Sequence, residues 1–567
     1  MNISERPTVS QVIARIMKAY GAEHIFTLTG FPLNVLYHCQ REEGIDVVLG
    51  RSERSVISMA DGYARIKGKP TFGYVQTGVG GSALPPAMAE ASWGQSPVIV
   101  LTGSTNTKTR NRLEYQEVDS LPMMATATKW AAALPSADRA DDIMRTAIRA
   151  ALSGVPGSAY LEIPADWFAV PLGRDPEIRP DTGLTRVGER PLPASEGDIE
   201  RAIAALAKAA RPVILGGGEI MFSEAWDQLT AFAEALSIPV LTSPAGKGRI
   251  AETNALAVGQ LGRYGRNVAS HVAAEADLVL AIGSTLGAMT TDTFTTPKAG
   301  TSIVHVSIDP MCLGRAYKET VAINADPKSA LISLLEAAQA AKLDGGAWAG
   351  WTKDVQGRVA QWRQTYAKLA QETVVEGRIN PITLIRELDQ HIGGDDVVVA
   401  DTGSQTRWAG TMIDAKTPGR NFLRAAGSLG WSFPGAVGAK LAVGDKRRVF
   451  NLTGDGGLGY HVTEMETAVR YGIPLISIVM NNHRFQGYDG LLSRGLGFQA
   501  SAPELSHFSD VDFGAVARAF GGHGERVEDP AEIRPALGRA EDSGKPAIID
   551  VAIAGGVSAP HGPTGEL

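Results

Sequence analysis

RRVFNLTGDGGLGYHVTEMETAVRYGIPLISIVMNNHRFQG, residues 447–487, reads as strand, glycine turn, helix, strand. The apolar run after Arg448 and the run from Pro474 to Met480 are each long enough for one buried strand, and the segment between them suits one crossover helix. In a right-handed crossover both parallel strands point their C-terminal ends to the same side of the sheet, where open α/β sheets bind ligands. Asp455 of Gly454-Asp455-Gly456 ends the first strand and Asn481-Asn482 ends the second, with 24 residues between Gly456 and Asn481. Glycines there let backbone N–H groups approach phosphate oxygens. One carboxylate and one amide oxygen make a hard pocket of oxygens suited to Mg²⁺ with positions left open for phosphate. Alone, Gly-Asp-Gly is usually a turn and Asn-Asn a strand end; their separation on neighbouring strand ends makes the site.

Outward from this segment, buried runs alternate with amphipathic ones along the whole chain. HIFTLTG (24–30), DVVLG (46–50), TFGYVQTG (71–78) and PVIVLTG (97–103) come first. RPVILGGG (211–218), IPVLTS (238–243), ADLVLAIG (276–283) and SIVHVSID (302–309) follow, then DVVVADTG (396–403) and PAIIDVAI (546–553). The alternation predicts an α/β protein of three doubly wound parallel-sheet domains of similar size. The Pro- and Gly-rich stretch 170–195 reads as a linker, and WTKDVQGRVAQWRQTYAKLAQET (351–373) as a polar helical connection. The expected domains are residues 1–170, 190–342 and 375–556, with a Gly- and Pro-rich tail at 557–567.

Composition narrows the partners. A net charge of −7 with acids and bases interspersed gives no electrostatic case for nucleic acid or an anionic membrane, which leaves small molecules. Two cysteines, Cys39 and Cys312, cannot build a disulfide framework, and the N-terminus lacks the basic and apolar regions of a secretory signal. These features predict a cytoplasmic, soluble protein.

The Gly-Asp-Gly…Asn-Asn pattern resembles the thiamine diphosphate signature, and the resemblance covers nearly the whole chain as pyrimidine-binding, central and diphosphate-binding domains. It implies that Asp455, Asn482 and the backbone carbonyl of Arg484 hold Mg²⁺ against the diphosphate. Gly403, Ser404 and Gln405 of ADTGSQTRW resemble the loop on the diphosphate's other side, beside Gly454, Gly456 and Gly457. Gly427, Ser428 and Leu429 match the turn whose glycine carbonyl meets the aminopyrimidine and whose large apolar residue props the cofactor into its bent form. Glu53, in DVVLGRSERSVISMADGYARIKGKP (46–70), is by itself a first-turn acid favoured by the helix dipole. By resemblance it is the catalytic glutamate that faces N1′ of the cofactor. The family's cofactor spans two subunits, so a homodimer or homotetramer is implied.

In outline the chain is similar to the acetohydroxyacid (acetolactate) synthase and pyruvate oxidase group. Tyr115-Gln116-Glu117 is similar to that group's substrate-channel motif, and Lys129 sits where it carries a lysine. Ser52 replaces the usual histidine, the Gly78–Ala83 loop departs from the glycine-rich pattern, Leu491-Leu492 stand near an expected tryptophan, and Ser284–Ala288 replace an arginine-bearing segment. These departures predict a C–C lyase or carboligase of a 2-oxo acid or 2-hydroxyacyl substrate that makes acetolactate poorly. A 2-hydroxyacyl-CoA lyase or oxalyl-CoA decarboxylase, taking a CoA thioester, is the alternative within the class. A non-catalytic cofactor-binding paralogue is the alternative outside it. Gly216-Gly217-Gly218 lacks a full dinucleotide motif, so FAD, ADP or no ligand in the central domain stay open.

Overall fold

The structure, a computed structural model, describes residues 6–487 and 502–559. Three six-stranded sheets carry it. The first comprises β1 (His24–Leu28), β2 (Asp46–Leu49), β3 (Thr71–Val75), β4 (Val98–Ser104), β5 (Trp130–Ala133) and β6 (Ala159–Pro164), in the order β2-β1-β3-β4-β6-β5. The second comprises β7 (Pro212–Gly216), β8 (Val240–Thr242), β9 (Ala257–Gln260), β10 (Leu278–Ile282), β11 (Ser302–Ser307) and β12 (Val321–Asn324), in the order β12-β11-β10-β7-β8-β9. After the small hairpin β13 (Val374–Val375) and β14 (Arg378–Ile379) comes the third. Its strands β15 (Val397–Ala400), β16 (Phe422–Arg424), β17 (Val449–Gly454), β18 (Ile476–Asn481), β19 (His523–Val527) and β20 (Ala547–Ala552) run β16-β15-β17-β18-β20-β19. Neighbours such as β17 and β18, or β3 and β4, are parallel. β3, β4, β17, β18 and β20 are buried along their whole length, because helices cover both faces and leave no alternation to read.

The α/β expectation holds, with a refinement. The first and third sheets share one strand order, whereas the central sheet has the order of a dinucleotide-binding fold. The strand order reverses direction between β1 and β3, between β7 and β10, and between β15 and β17. Each reversal opens a crevice at the strands' C-terminal ends.

By contacts the chain forms two compact units. One consists of Met1–Arg190, Ala425–Lys446 and His461–Ile473, and the other of Pro191–Arg424, Arg447–Tyr460 and Pro474–Leu567. In the first unit the stretch expected as a linker is partly laid against the fold. Leu172, Leu184 and Val187 are buried, and the Val187 N–H donates to the Gly68 carbonyl at 3.0 Å. In the second, the segment expected as a polar connection is the helix Ala349–Leu369. Its Trp351, Val355, Trp362 and Tyr366 join the core of the central sheet with Val213, Leu215 and Val279. Among the described residues no helix is long and apolar enough to cross a membrane.

The helices Glu53–Lys67 and Ser432–Val443 of the first unit cross with their backbones almost touching. A Cβ at Gly438 would lie 1.9 Å from the Met59 carbonyl oxygen, and one at Gly62 would lie 2.0 Å from that of Gly435. Gly438→Ala gains about 1 kcal/mol of helix propensity but forces the helices apart, and overpacking costs about 1–3 kcal/mol or more. The expected result is a lower Tm by calorimetry; a Tm equal to wild type would show that the crossing is not tight.

Candidate active site

The crevice of the third sheet gathers the residues expected around the diphosphate. After β15, Asp401 is fully buried and accepts from the Thr402 N–H at 2.8 Å and from the Thr453 hydroxyl at 3.0 Å. Gly403 (φ 89°) is the N-cap of the helix Ser404–Met412, so Ser404 and Gln405 form a first helical turn where the sequence suggested a loop. With its side-chain oxygen and nitrogen exchanged, the orientation that satisfies both atoms, the Gln405 amide bridges the crevice, donating to the Thr402 carbonyl at 3.1 Å and accepting from the Gly454 N–H at 3.3 Å. β17 ends at Gly454, and Asp455 opens the short helix Asp455–Leu458. Gly457 must be glycine here, since a Cβ would lie 2.5 Å from Asp401 Oδ2.

Asp455 is 7% exposed, and its Oδ2 has no hydrogen-bond donor among the described residues. Burial pushes its pKa up to about 7, with the Asp550 carboxylate adding to the rise and the N–H groups of Gly456, Asp455 and Arg484 opposing it. A buried carboxylate oxygen with no donor is neutralised by a proton or by a cation, and it leaves a position where a cation can bind. The donor set therefore fits Mg²⁺.

At the end of β18 the two asparagines divide the work. Asn481 is buried, donates to the Val511 carbonyl at 3.1 Å and accepts from the His483 N–H at 3.3 Å. Asn482 is half-buried, and its oxygen accepts from the Arg484 N–H at 3.3 Å. Phe485 packs over Gly456 and meets Phe508 edge to face at 4.7 Å. With Asp455, Tyr460, Val511 and Phe513 these rings line a cavity of about 600 Å³ whose walls are mostly apolar. The sequence reading missed this aromatic wall, because phenylalanines after a strand look like ordinary core.

The first unit positions Glu53. It is the first residue of its helix, half-buried, behind the N-cap Ser52, whose hydroxyl accepts from the Ser55 N–H at 3.2 Å. Glu464 secures the same helix end, accepting from the Arg51 N–H at 2.9 Å, from the Ser55 hydroxyl, and from the Thr467 hydroxyl at 2.7 Å. Burial pushes the Glu464 carboxyl above its usual range. Gly80, beyond the end of β3, leaves room beside the Glu53 carboxylate, since a Cβ there would sit 3.3 Å from Oε1. In the same unit Gly427 is exposed and Leu429 half-buried, and Arg54 donates to the Leu429 carbonyl at 3.0 Å.

The residues expected around substrate are scattered. Gln116 (φ 58°) accepts from Gln76 Nε2 at 2.7 Å, at the C-terminal edge of the first sheet, and Tyr115 is 85% exposed. Lys129 precedes β5 at the opposite edge, and its ammonium donates to the carbonyls of Ser153 and Val155, the latter at 2.7 Å. The structure does not bring it together with Glu53. Leu491 and Leu492, and the tail beyond residue 559, lie outside the described residues.

At its glycine turn the central crevice is held by hydrogen bonds of the fold itself. The Gly217 N–H donates to the Ile282 carbonyl at 2.8 Å and the Glu219 N–H to that of Gly283 at 3.1 Å. Glu219 is buried there, accepting from the Ser307 hydroxyl at 2.6 Å and the Ile308 N–H at 2.9 Å, and burial raises its pKa to about 7. Two amides of the turn are thus taken by backbone carbonyls, and the Glu219 carboxylate is turned to Ser307 and Ile308 at the end of β11.

Comparison with known families places this geometry. Residues 7–123 match the thiamine pyrophosphate enzyme N-terminal TPP binding domain, residues 199–334 the thiamine pyrophosphate enzyme central domain, and residues 401–551 the C-terminal TPP binding domain. The acetolactate synthase large subunit of Mycobacterium tuberculosis is 32% identical over 95% of this chain and 95% of its own length. The probable acetolactate synthase large subunit of Methanococcus aeolicus is 28% identical over 95% and 91%. The acetolactate synthase isozyme 3 large subunit of Escherichia coli is 26% identical over 96% and 95%.

Proposed function

The chain belongs to the thiamine pyrophosphate enzyme family, and from that premise we propose that it is a Mg²⁺-dependent carboligase acting on a 2-oxo acid donor. The bound cofactor, thiamine diphosphate, supplies the nucleophilic carbon and the electron sink needed to break and make bonds beside a carbonyl. The supporting observation is the strand-end pair of the third sheet: a buried Asp455 oxygen without a donor beside a glycine turn, with Asn482 at the neighbouring strand end. Asp455, Asn482 and the Arg484 carbonyl would hold the metal. Gly403, Ser404, Gln405 and the Gly454–Gly457 turn would hold the diphosphate. Glu53 would hold a proton at N1′ of the pyrimidine, with Gly427 and Leu429 orienting that ring. The apolar walls formed by Phe485 and Phe508 would face the bound groups from one side and so strengthen their interactions there. At least a homodimer completes the site in this reading.

For the acceptor, the segment Ser284–Ala288 carries no charged side chain to orient a second small 2-oxo acid. With thiamine diphosphate and Mg²⁺, the enzyme is expected to release CO₂ from 2-oxo acids and to make acetolactate from pyruvate more slowly than some other acyloin or aldehyde product. A panel of pyruvate, glyoxylate, aromatic 2-oxo acids, oxalyl-CoA and 2-hydroxyisobutyryl-CoA tests it. Acetolactate outpacing every other product would make the chain an ordinary acetolactate synthase. Reaction confined to the CoA thioesters would make it a lyase of that class.

A further inference from the structure

The turn that carries Gly427 and Leu429 is held from behind by a carboxylate that the cofactor reading does not use. Glu90, on the helix Pro85–Trp93, is 4% exposed. It accepts from three consecutive backbone N–H groups: Ala426, Gly427 at 2.9 Å and Ser428 at 2.8 Å. Arg65 reaches Glu90 at 3.4 Å while bonding Asp61 through two nitrogens at 2.8 and 2.6 Å. The Arg65 guanidinium lies 4.4 Å over Trp431, whose indole N–H donates to Asp61 at 2.9 Å. Asp61, Arg65, Glu90 and Trp431 are all buried.

This cluster sets one guanidinium against two carboxylates, so amide dipoles must stand in for the missing cation. Charge-assisted bonds from three successive amides fix a backbone more tightly than neutral ones do. Because the Gly427 carbonyl and the Leu429 side chain belong to the same few residues, their orientation follows from that grip.

We propose that Glu90 is a positioning residue: its carboxylate gathers the amides of residues 426–428 and thereby sets the Gly427 carbonyl and Leu429 against the cofactor's aminopyrimidine. The proposal rests on the assignment of Gly427 and Leu429 to the cofactor.

Hydrogen–deuterium exchange on the full-length chain without cofactor reads the turn directly. In Glu90→Gln the amides of residues 426–428 exchange about 10-fold faster or more, the scale of one lost charge-assisted hydrogen bond. The Glu53–Lys67 helix keeps its protection. Glu90→Asp, with the charge one methylene short, falls between. Titration with thiamine diphosphate and Mg²⁺ then gives a dissociation constant raised about 10-fold for Glu90→Gln and a lower turnover at saturation, changes that a purely structural glutamate would not produce.

Unchanged exchange at 426–428 overturns the proposal, as does faster exchange with wild-type affinity and saturated turnover. If Glu90→Gln does not fold, Glu90→Asp takes its place in the same comparison, and the same two results overturn the proposal. In the wild type, cofactor that protects residues 425–431 supports the underlying assignment. Cofactor that binds without protecting them sinks that assignment and the proposal with it, even where Glu90 is found to hold the turn.

Discussion

Glu53→Gln is expected to fold, to bind thiamine diphosphate and Mg²⁺ near wild-type strength, and to turn over about 10²–10⁴-fold more slowly, the usual scale for a positioned acid–base group. The fold should survive because the end of the Glu53–Lys67 helix is secured by other residues. Ser52 caps it, and Glu464 accepts from the Arg51 N–H and the Ser55 hydroxyl. A first-turn acid contributes only about 0.3–1 kcal/mol through the helix dipole, so the Tm moves little. Glutamine keeps the volume beside Gly80 and can form a hydrogen bond to the pyrimidine, but it cannot exchange a proton with N1′. Exchange of the cofactor's C2 proton, followed by NMR after acid quench, should slow in parallel with turnover. Exchange at the wild-type rate would remove Glu53 from this role. A wild-type protein that bound cofactor and neither exchanged that proton nor turned over any substrate would be the non-catalytic paralogue.

The strands of the third sheet and the residues at their ends were legible because their signals are local. Two strands buried on both faces leave largely apolar runs, and a glycine turn and an asparagine pair sit at their ends. The shared strand order of the first and third sheets was not legible, since order is decided by how helices pack on each face and leaves no mark on any one segment. The Ala349–Leu369 helix read as a solvated connection because polar residues dominate it. Its buried positions 351, 355, 362 and 366 fall on one helical face, a sparse stripe that composition hides. Glu90 was passed over for a related reason. An acid in an alanine-rich helix looks like a surface charge, and only the amides of residues 426–428, far away in sequence, make it a buried one.

Asp455→Ala is expected to purify without thiamine diphosphate and to fail to take it up with added Mg²⁺, the dissociation constant rising by about 10²-fold or more. Loss of an outer partner of a metal ligand already costs about 10–100-fold in affinity, and Asp455 is placed as a ligand itself. It would bring the one full negative charge among the three expected protein oxygens, those of Asp455, Asn482 and Arg484. Without it, only neutral protein oxygens remain to tie the diphosphate's cation to the crevice. Dialysis of the wild type against EDTA should release the cofactor for the same reason, and Mg²⁺ should restore its binding. Stability separates this outcome from misfolding, because the two effects have opposite signs. In the protein without cofactor, Asp455 is a buried carboxylate with an oxygen that has no donor, and burial of its charge disfavours the fold. Alanine removes that cost, so the variant's Tm without cofactor should equal or exceed that of the wild-type protein measured without cofactor. A lower Tm would mean that Asp455 holds the Gly454–Gly457 turn together. Cofactor retained at wild-type affinity by the alanine variant would mean that Asp455 is not a ligand of the metal.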